Sequence, residues 1–336
     1  MTSKEIKELI KTPEYDFLKT NEHLGNNIIL LGLGGSHAYG TNIDTSDVDV
    51  RGVALNSKRE ILLTRDFESY VNEATDTTVY SFNKIIELLT NCNPNTIEML
   101  GLDKEDYLYV TKEGQMLLDN KGLFLSRRCI QSFGGYANQQ LYRLQQKSLC
   151  AVTEEQLNWH IAKVLSSMAT RLNVTFGTNI DIIFDETKSD KDFSGIFLSG
   201  NIQNIPAEHI ASALAELNNT IRDYKKHSHR NENAMLHGKI AKHAMHLIRL
   251  YMMCIDIMEK HEIVTKRIAE HDLLMDIRNG KYLDADGKPN SEFFEIFHEY
   301  EKRFDYAKEN TDLPDKPDYD AINDFRASVN ESVVCR

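Results

Sequence analysis

The chain has 336 residues and carries 51 acidic against 39 basic side chains, a formal net charge of -12. With 41% hydrophobic and 27% charged residues it is neither a disordered nor a membrane-embedded composition, and its length accommodates two domains. No apolar run approaches membrane-spanning length, residues 1–20 are too charged for a secretory leader, and the acidic balance argues against broad nonspecific binding to nucleic acid.

In chain order, residues 27–33 (NIILLGL) form the first apolar run of strand length, and Gly34-Gly35-Ser36 follows it. Glycines let backbone N–H groups approach a phosphate without a Cβ in the way. Ser36 is placed to cap a following helix, whose N-terminus also favours an anion. Val48, Val50 and Val53 mark a second strand over residues 48–54. Alternation along that strand puts Asp47, Asp49 and Arg51 on one face and turns Val48 and Val50 toward the core. Carboxylates sharing a face can bridge hard divalent cations, and Mg²⁺ suits such a pair because substrate phosphates complete its octahedron. Two ions roughly 3.5–4 Å apart would stabilise the attacking and leaving oxygens of an in-line displacement.

Residues 76–82 read as a third strand from their β-branched and aromatic composition, with Asp76 at its start on the face of Thr78 and Tyr80. Helices are expected over 83–91 and 95–100, separated by the break at Asn93-Pro94. Beyond residue 115 helical periodicity dominates, over 114–119, 126–150, 154–172, 207–226, 234–260, 267–277 and 292–308. Residues 180–205, rich in Asp, Ser, Gly and Lys, form either a mobile loop or a small hairpin. The expected fold is α+β, with a small mixed sheet in a catalytic domain of residues 1–115 and an α-helical domain of residues 116–336. Five scattered cysteines without a C-x-x-C fit reduced, mostly buried thiols in a cytoplasm and no zinc site.

The segment GGSHAYGTNIDTSDVDVRGV, residues 34–53, resembles the signature of the DNA polymerase beta-like nucleotidyltransferase superfamily. More narrowly, the chain is similar to predicted nucleotidyltransferases of bacteria and phages, some encoded beside RNA-repair ligases. That branch shows G-S-x-A-Y-G, S-D-x-D-x-R-G and N-P-x-x-x-E-x-L, met here by residues 35–40, 46–52 and 93–100. FGGYANQQ at 133–140, HLIRL at 246–250 and Ile277-Arg278-Asn279-Gly280 resemble its later parts. The Gly134-Gly135 pair would weaken a helix interior, so Tyr136 beside it stands either in a close helix packing or stacked on a base.

The resemblance implies a palm-like domain in which Asp47 and Asp49 hold two Mg²⁺ ions, or Mn²⁺ in their place. Gly34, Gly35 and Ser36 would cradle the phosphates of an incoming NTP, with Arg51 a charge partner for phosphate or for the carboxylates. A third acid on the neighbouring strand would ligate metal or take the proton of the attacking hydroxyl. Asp76 is the best placed, and Glu73 and Glu68 are the alternatives. The reaction implied is transfer of an NMP from an NTP to a hydroxyl acceptor with release of pyrophosphate. An RNA 3′ end such as that of tRNA is favoured as acceptor over a protein or small molecule. The competing reading is an inactive module that binds nucleotide or RNA. Location in a bacterial cytoplasm or a phage-infected host follows from the same resemblance, and no feature fixes the oligomeric state.

A cationic groove is expected from residues 222–249, which hold Arg222, Lys225, Lys226, Arg230, Lys239, Lys242 and Arg249 together with five histidines. On the helix over 234–260, Lys242, His246 and Arg249 fall at i, i+4 and i+7, on one face. These three would contact RNA or the triphosphate of the donor. The stripe Ile240, Ala244, Leu247, Ile248 and Tyr251 would enter the core.

Overall fold

The computed structural model describes residues 1–63, 67–148, 165, 166, 169, 173, 179–189, 194–201, 239–285 and 287–335. The helix expected over 207–226 lies outside the described residues, as do most of that over 154–172, Cys150, Arg222, Lys225, Lys226, Arg230, His227, His229 and His237. The chain divides into two compact units: Met1–Tyr142 with Ala241–Tyr282 and Asn290–Arg336, and Arg143–Ile240 with Leu283–Pro289.

The first unit is built on a five-stranded mixed sheet of order β3-β4-β2-β1-β5. Its strands are β1 (Ile28–Leu33), β2 (Val50–Ala54), β3 (Ser69–Asn72), β4 (Thr77–Ser81) and β5 (Tyr107–Val110). β1 runs antiparallel to β2 and to β5, β3 antiparallel to β4, and β2 parallel to β4. The fold is α+β, as the sequence leads one to expect. Every residue of β1 is buried, which accounts for its unbroken apolar sequence, whereas β4 alternates between buried and half-buried positions. Leu31, Val50, Ala54 and Val79 from the three central strands share one core cluster with Tyr15, Leu18 and Leu24.

Around the sheet, α1 (Ser3–Leu9) starts with a capping box in which Thr2 and Glu5 satisfy each other's backbone N–H groups. After α2 (Phe17–Thr20) and β1 come α3 (Gly35–Tyr39), α4 (Lys58–Leu63) and α5 (Phe82–Thr90), the last capped by Ser81 at the end of β4. Asn93 then caps α6 (Pro94–Ile97), where proline occupies the first turn and lacks only a donor that would be idle there. α7 (Lys112–Asp119) and α8 (Arg128–Ser148) follow, and later helices among the described residues are α9 (Lys239–Lys260), α10 (His271–Arg278), α11 (Ser291–Asn310) and α12 (Tyr319–Val334). Ile240, Ala244, Leu247, Ile248 and Tyr251 of α9 are all buried, as the apolar stripe predicts. Full burial of an isoleucine or leucine in this stripe contributes about 1.5–3 kcal/mol.

Three details differ from the sequence reading. The strand expected from Val48 begins at Val50, so Asp47 and Asp49 lie on the approach to β2 rather than within it. Asp76 is the last residue of the β3–β4 turn, with φ of 42°, instead of the first residue of the strand. α1, α2, α4, β3, β5 and α12 have no counterpart among the expected elements. Of the described cysteines, Cys92, Cys129 and Cys254 are buried and Cys335 is exposed, all as free thiols.

In the second unit, β6 (Asn179–Ser189) and β7 (Ser194–Asn201) pair antiparallel, so residues 180–205 contain a hairpin. Asn173 ties down its first strand, donating to the Ile180 carbonyl at 2.8 Å and accepting from its N–H at 2.7 Å.

Candidate active site

The register of the two parallel strands creates the site. Val50 sits opposite Thr77, so the preceding residues, Asp49 and Asp76, meet just beyond the ends of β2 and β4. The Val50 N–H donates to the Asp76 carbonyl at 3.1 Å, and the Gly34 N–H to the Asp49 carbonyl at 2.8 Å. Asp49 is thereby stitched between the glycine turn and Asp76. Arg51 braces the pair from β2: Nη2 lies 3.3 Å from Asp49 Oδ1, and Nη1 donates to the Asp76 carbonyl at 2.9 Å and approaches Oδ1 at 3.4 Å. Of the two roles open to Arg51, its contacts are with the carboxylates.

Asp49 and Asp76 share a hydrogen bond between their carboxyl groups. Burial, then that bond and the neighbouring negative charge, push Asp49 up to about 7. Asp76 is held below the usual carboxylate range, chiefly by accepting from Asp49 and further by Arg51. The positive charge of Lys242, exposed on α9, acts on both acids. Of the two, Asp49 is the carboxyl that keeps its proton longer as pH rises, up to about 7.

The turn is shaped to this pair. Gly35 adopts φ of 53°, a left-handed backbone that other residues seldom take, and a Cβ there would collide with Oδ2 of Asp49. Gly34, in extended backbone, caps α3 with its main chain, so Ser36 does not cap the helix as expected but lies inside its first turn, 7% exposed. Gly40 closes α3 in the left-handed region with φ of 70°. Asp47 is exposed and makes no hydrogen bond or ion pair among the described residues. Of the alternative third acids, Glu73 is exposed in the β3–β4 turn and Glu68 pairs with Lys84 at 3.3 Å.

Residues 10–162 match the RNA repair pathway DNA polymerase beta family. The matched segment spans all five strands of the first unit, and with them the glycine turn, Asp47, Asp49, Arg51 and Asp76. The similarity to the polymerase beta-like superfamily and its RNA-repair branch is thus a property of the part of the chain that forms the site. No curated protein and no solved structure matches this chain.

Below the site the later motifs converge on a buried ion pair. Glu98, from the N-P-x-x-x-E segment, is 6% exposed; the Tyr39 hydroxyl donates to both its oxygens, each at 3.0 Å. Arg249 Nη1 stands 3.3 Å from Glu98 Oε2, and its guanidinium lies 3.5 Å above the Tyr39 ring. Burial raises the Glu98 carboxyl, against which the Arg249 charge and the Tyr39 hydroxyl act. At 1% exposure Arg249 lies in the core and not on the surface of a groove. His246 is half-buried between Tyr39 and Tyr136, 6.1 and 6.0 Å from their ring centroids. Tyr136, then, is in helix packing. Lys242 is the one member of the expected cationic face that is exposed and acts on Asp49 and Asp76.

Sequence reasoning quoted Tyr39, Glu98 and Arg278 within motifs but gave them no role. Helical spacing gave no signal for the ion pair, because it sets Arg249 on the face of Lys242 and His246 and apart from the apolar stripe. Truncating Arg249 to alanine would leave Glu98 buried without a countercharge, so the expected loss of stability is about 3–5 kcal/mol. Pairing Arg249→Met with Glu98→Gln should recover much of it, which chemical denaturation of the single and double variants will read.

Among the described residues, no group of three His, Cys, Asp or Glu side chains is gathered closely enough to hold a metal ion by itself. The donor chemistry nevertheless fits a hard divalent cation. Two carboxyl groups that share one proton offer that proton's place to a cation, and the missing Cβ of Gly35 keeps Asp49 Oδ2 clear. In the metal-free protein the raised value of Asp49 makes folding stability fall as pH rises from the ordinary carboxylate value of 3.8 toward about 7, because the folded state keeps a proton the unfolded state has lost. Above that point no further change comes from this group. Thermal melts in EDTA across this range should show the decline in the wild type and a flatter profile in Asp49→Asn, with Mg²⁺ binding tighter as pH rises.

Proposed function

We propose that this protein is a Mg²⁺-dependent nucleotidyltransferase that moves an NMP from an NTP to a hydroxyl acceptor, with an RNA 3′ end such as that of tRNA as the favoured acceptor. The observation that carries this reading is the Asp49–Asp76 pair held against the Gly34-Gly35 turn, in a segment that matches a polymerase beta family of an RNA repair pathway. In this reading residues 1–115 form the catalytic domain and residues 116–336 the helical domain. Asp49 and Asp76, with Asp47 on the approach to β2, would hold Mg²⁺ or Mn²⁺, which supplies charge neutralisation for the phosphates.

The chain's own groups do the rest. The backbone N–H of Gly35 and the Ser36 hydroxyl receive the donor's phosphates, while Gly34, whose own N–H is taken by the Asp49 carbonyl, lets the turn approach them without a Cβ. Arg51 keeps the two acids together when they are ionised, and Lys242 adds positive charge on the same side. The acceptor hydroxyl attacks the α-phosphorus, its proton passing to a carboxylate of the pair, and pyrophosphate leaves. No helix among the described residues is long and apolar enough to cross a membrane.

Incubation with each α-³²P-labelled NTP, Mg²⁺, cell RNA and cell protein tests the reading. Label in RNA supports it as stated. Label in protein or in a small metabolite keeps the chemistry and changes the acceptor. NTP binding without any transfer would instead mean an inactive binding module.

A further inference from the structure

Asp47 stands in residues 41–49, a segment with neither helix nor strand. Its carboxylate is exposed and has no partner among the described residues, so the residues on either side set its place. On one side Asp49 is held, its carbonyl by the Gly34 N–H and its carboxylate by Arg51. On the other side the hold is Ser46, which directly precedes Asp47. Its hydroxyl accepts from the Ile43 N–H at 2.9 Å and its own N–H donates to the Ile43 carbonyl at 2.9 Å, closing a turn.

Two further elements grip this serine. Arg278 Nη2, at the end of α10, donates to the same hydroxyl at 3.2 Å, so both lone pairs of Oγ are used. The His37 ring, 6% exposed and adjacent to Ser36, hydrogen-bonds to the Ser46 backbone. The other end of α10 ties down the start of the loop, where His271 Nε2 donates to the Gly40 carbonyl at 3.0 Å. The loop that presents Asp47 is thus pinned at its first and later parts by one late helix.

Arg278 is not placed there by an ion pair. It is half-buried, and the loss of water alone lowers it from the usual arginine range, with no carboxylate acting on it. The C-terminal dipole of α10 offsets part of that cost, but the side chain returns little stability of its own. Its printed bond goes to the residue before a candidate metal ligand.

We propose that Arg278 and Ser46 are positioning residues for Asp47, holding the loop so that its carboxylate can join Asp49 and Asp76 in binding Mg²⁺. This assignment rests on the nucleotidyltransferase reading above and gives α10 a part in building the metal site. Supports of this kind, one bond removed from the metal, typically govern affinity by fixing the orientation of the ligand.

The test is equilibrium binding of Mg²⁺, and of Mn²⁺ read by its electron spin resonance, to the full chain, with melting in EDTA measured alongside. Arg278→Met should weaken both metals on the order of tenfold while its melting temperature in EDTA stays at or above that of the wild type. Arg278→Lys should recover part of the loss, since an ammonium can still donate to Ser46. Ser46→Ala, a smaller change that removes the acceptor, should weaken metal binding to a similar extent. In an Asp47→Asn background neither substitution should cost further affinity, because both act through Asp47. Wild-type metal affinity in Arg278→Met and Ser46→Ala, with Asp47→Asn impaired, overturns the assignment and leaves the nucleotidyltransferase reading standing. Losses that persist in the Asp47→Asn background, or that follow a lowered melting temperature with no recovery in Arg278→Lys, overturn it too. Unchanged metal affinity in Asp47→Asn itself removes Asp47 from the metal site, and the assignment falls with that part of the reading.

Discussion

Gly35→Val should abolish measurable NTP binding, whereas Ser36→Ala should weaken it by no more than about tenfold, the worth of one hydrogen bond of roughly 0.5–1.5 kcal/mol. Two independent obstacles meet at Gly35. Its φ of 53° lies where a β-branched residue is strained, at a cost of about 1–3 kcal/mol. Its Cβ would also strike Oδ2 of Asp49, so the substitution must displace either the turn or the acid. Displacing the turn removes the backbone donors aimed at phosphate, and displacing Asp49 separates it from Asp76. Titration of each variant with NTP, and separately with Mg²⁺, tells the two apart. Wild-type NTP affinity in both variants would mean that this turn does not hold the phosphates.

The second large effect is expected at the acids. Asp49→Asn and Asp76→Asn preserve shape and hydrogen-bonding capacity, so both variants should fold, while transfer falls by at least about a thousandfold, the equivalent of several kcal/mol of lost metal-assisted stabilisation. Asp47→Asn should lose transfer as severely for a different reason. Asp47 is exposed and without a partner among the described residues, so its substitution should leave both the melting temperature and its pH dependence in EDTA unchanged. Asp49→Asn should instead flatten that dependence, because it removes the group whose proton is held to about 7. Substantial residual transfer in the Asp47→Asn, Asp49→Asn double variant would sink the metal assignment, and an altered metal-free melting profile in Asp47→Asn would show that this residue has a structural partner.

The sequence by itself determined those features that depend on neighbours along the chain. NIILLGL had to be a buried strand because it offers no polar face, and every residue of β1 is buried. The apolar stripe of α9 pointed Ile240, Ala244, Leu247, Ile248 and Tyr251 inward by helical spacing alone. Gly-Gly-Ser followed by Asp-Val-Asp was legible as a phosphate turn beside acids for the same local reason. β3 and β5 were not legible, being four-residue strands at the two edges of the sheet, half-exposed and without a sustained alternation. Such strands are set by the ladder that the neighbouring strand offers.

Only the tertiary structure decided how distant charges were distributed. Lys242, His246 and Arg249 share a helical face by spacing, yet Lys242 reaches the field of Asp49 and Asp76 while Arg249 is taken into the core by Glu98 and Tyr39. Spacing along a helix gives a direction but not what lies at its end. The same holds for Asp76, whose nearness to Asp49 comes from the parallel register of Val50 with Thr77 and not from any feature of either segment. It holds again for Arg278, whose bond to Ser46 joins a late helix to a loop more than two hundred residues earlier in the chain. Desolvation turns these long-range placements into chemistry, because an acid or a guanidinium taken from water must find a proton, a countercharge or a hydrogen-bond acceptor.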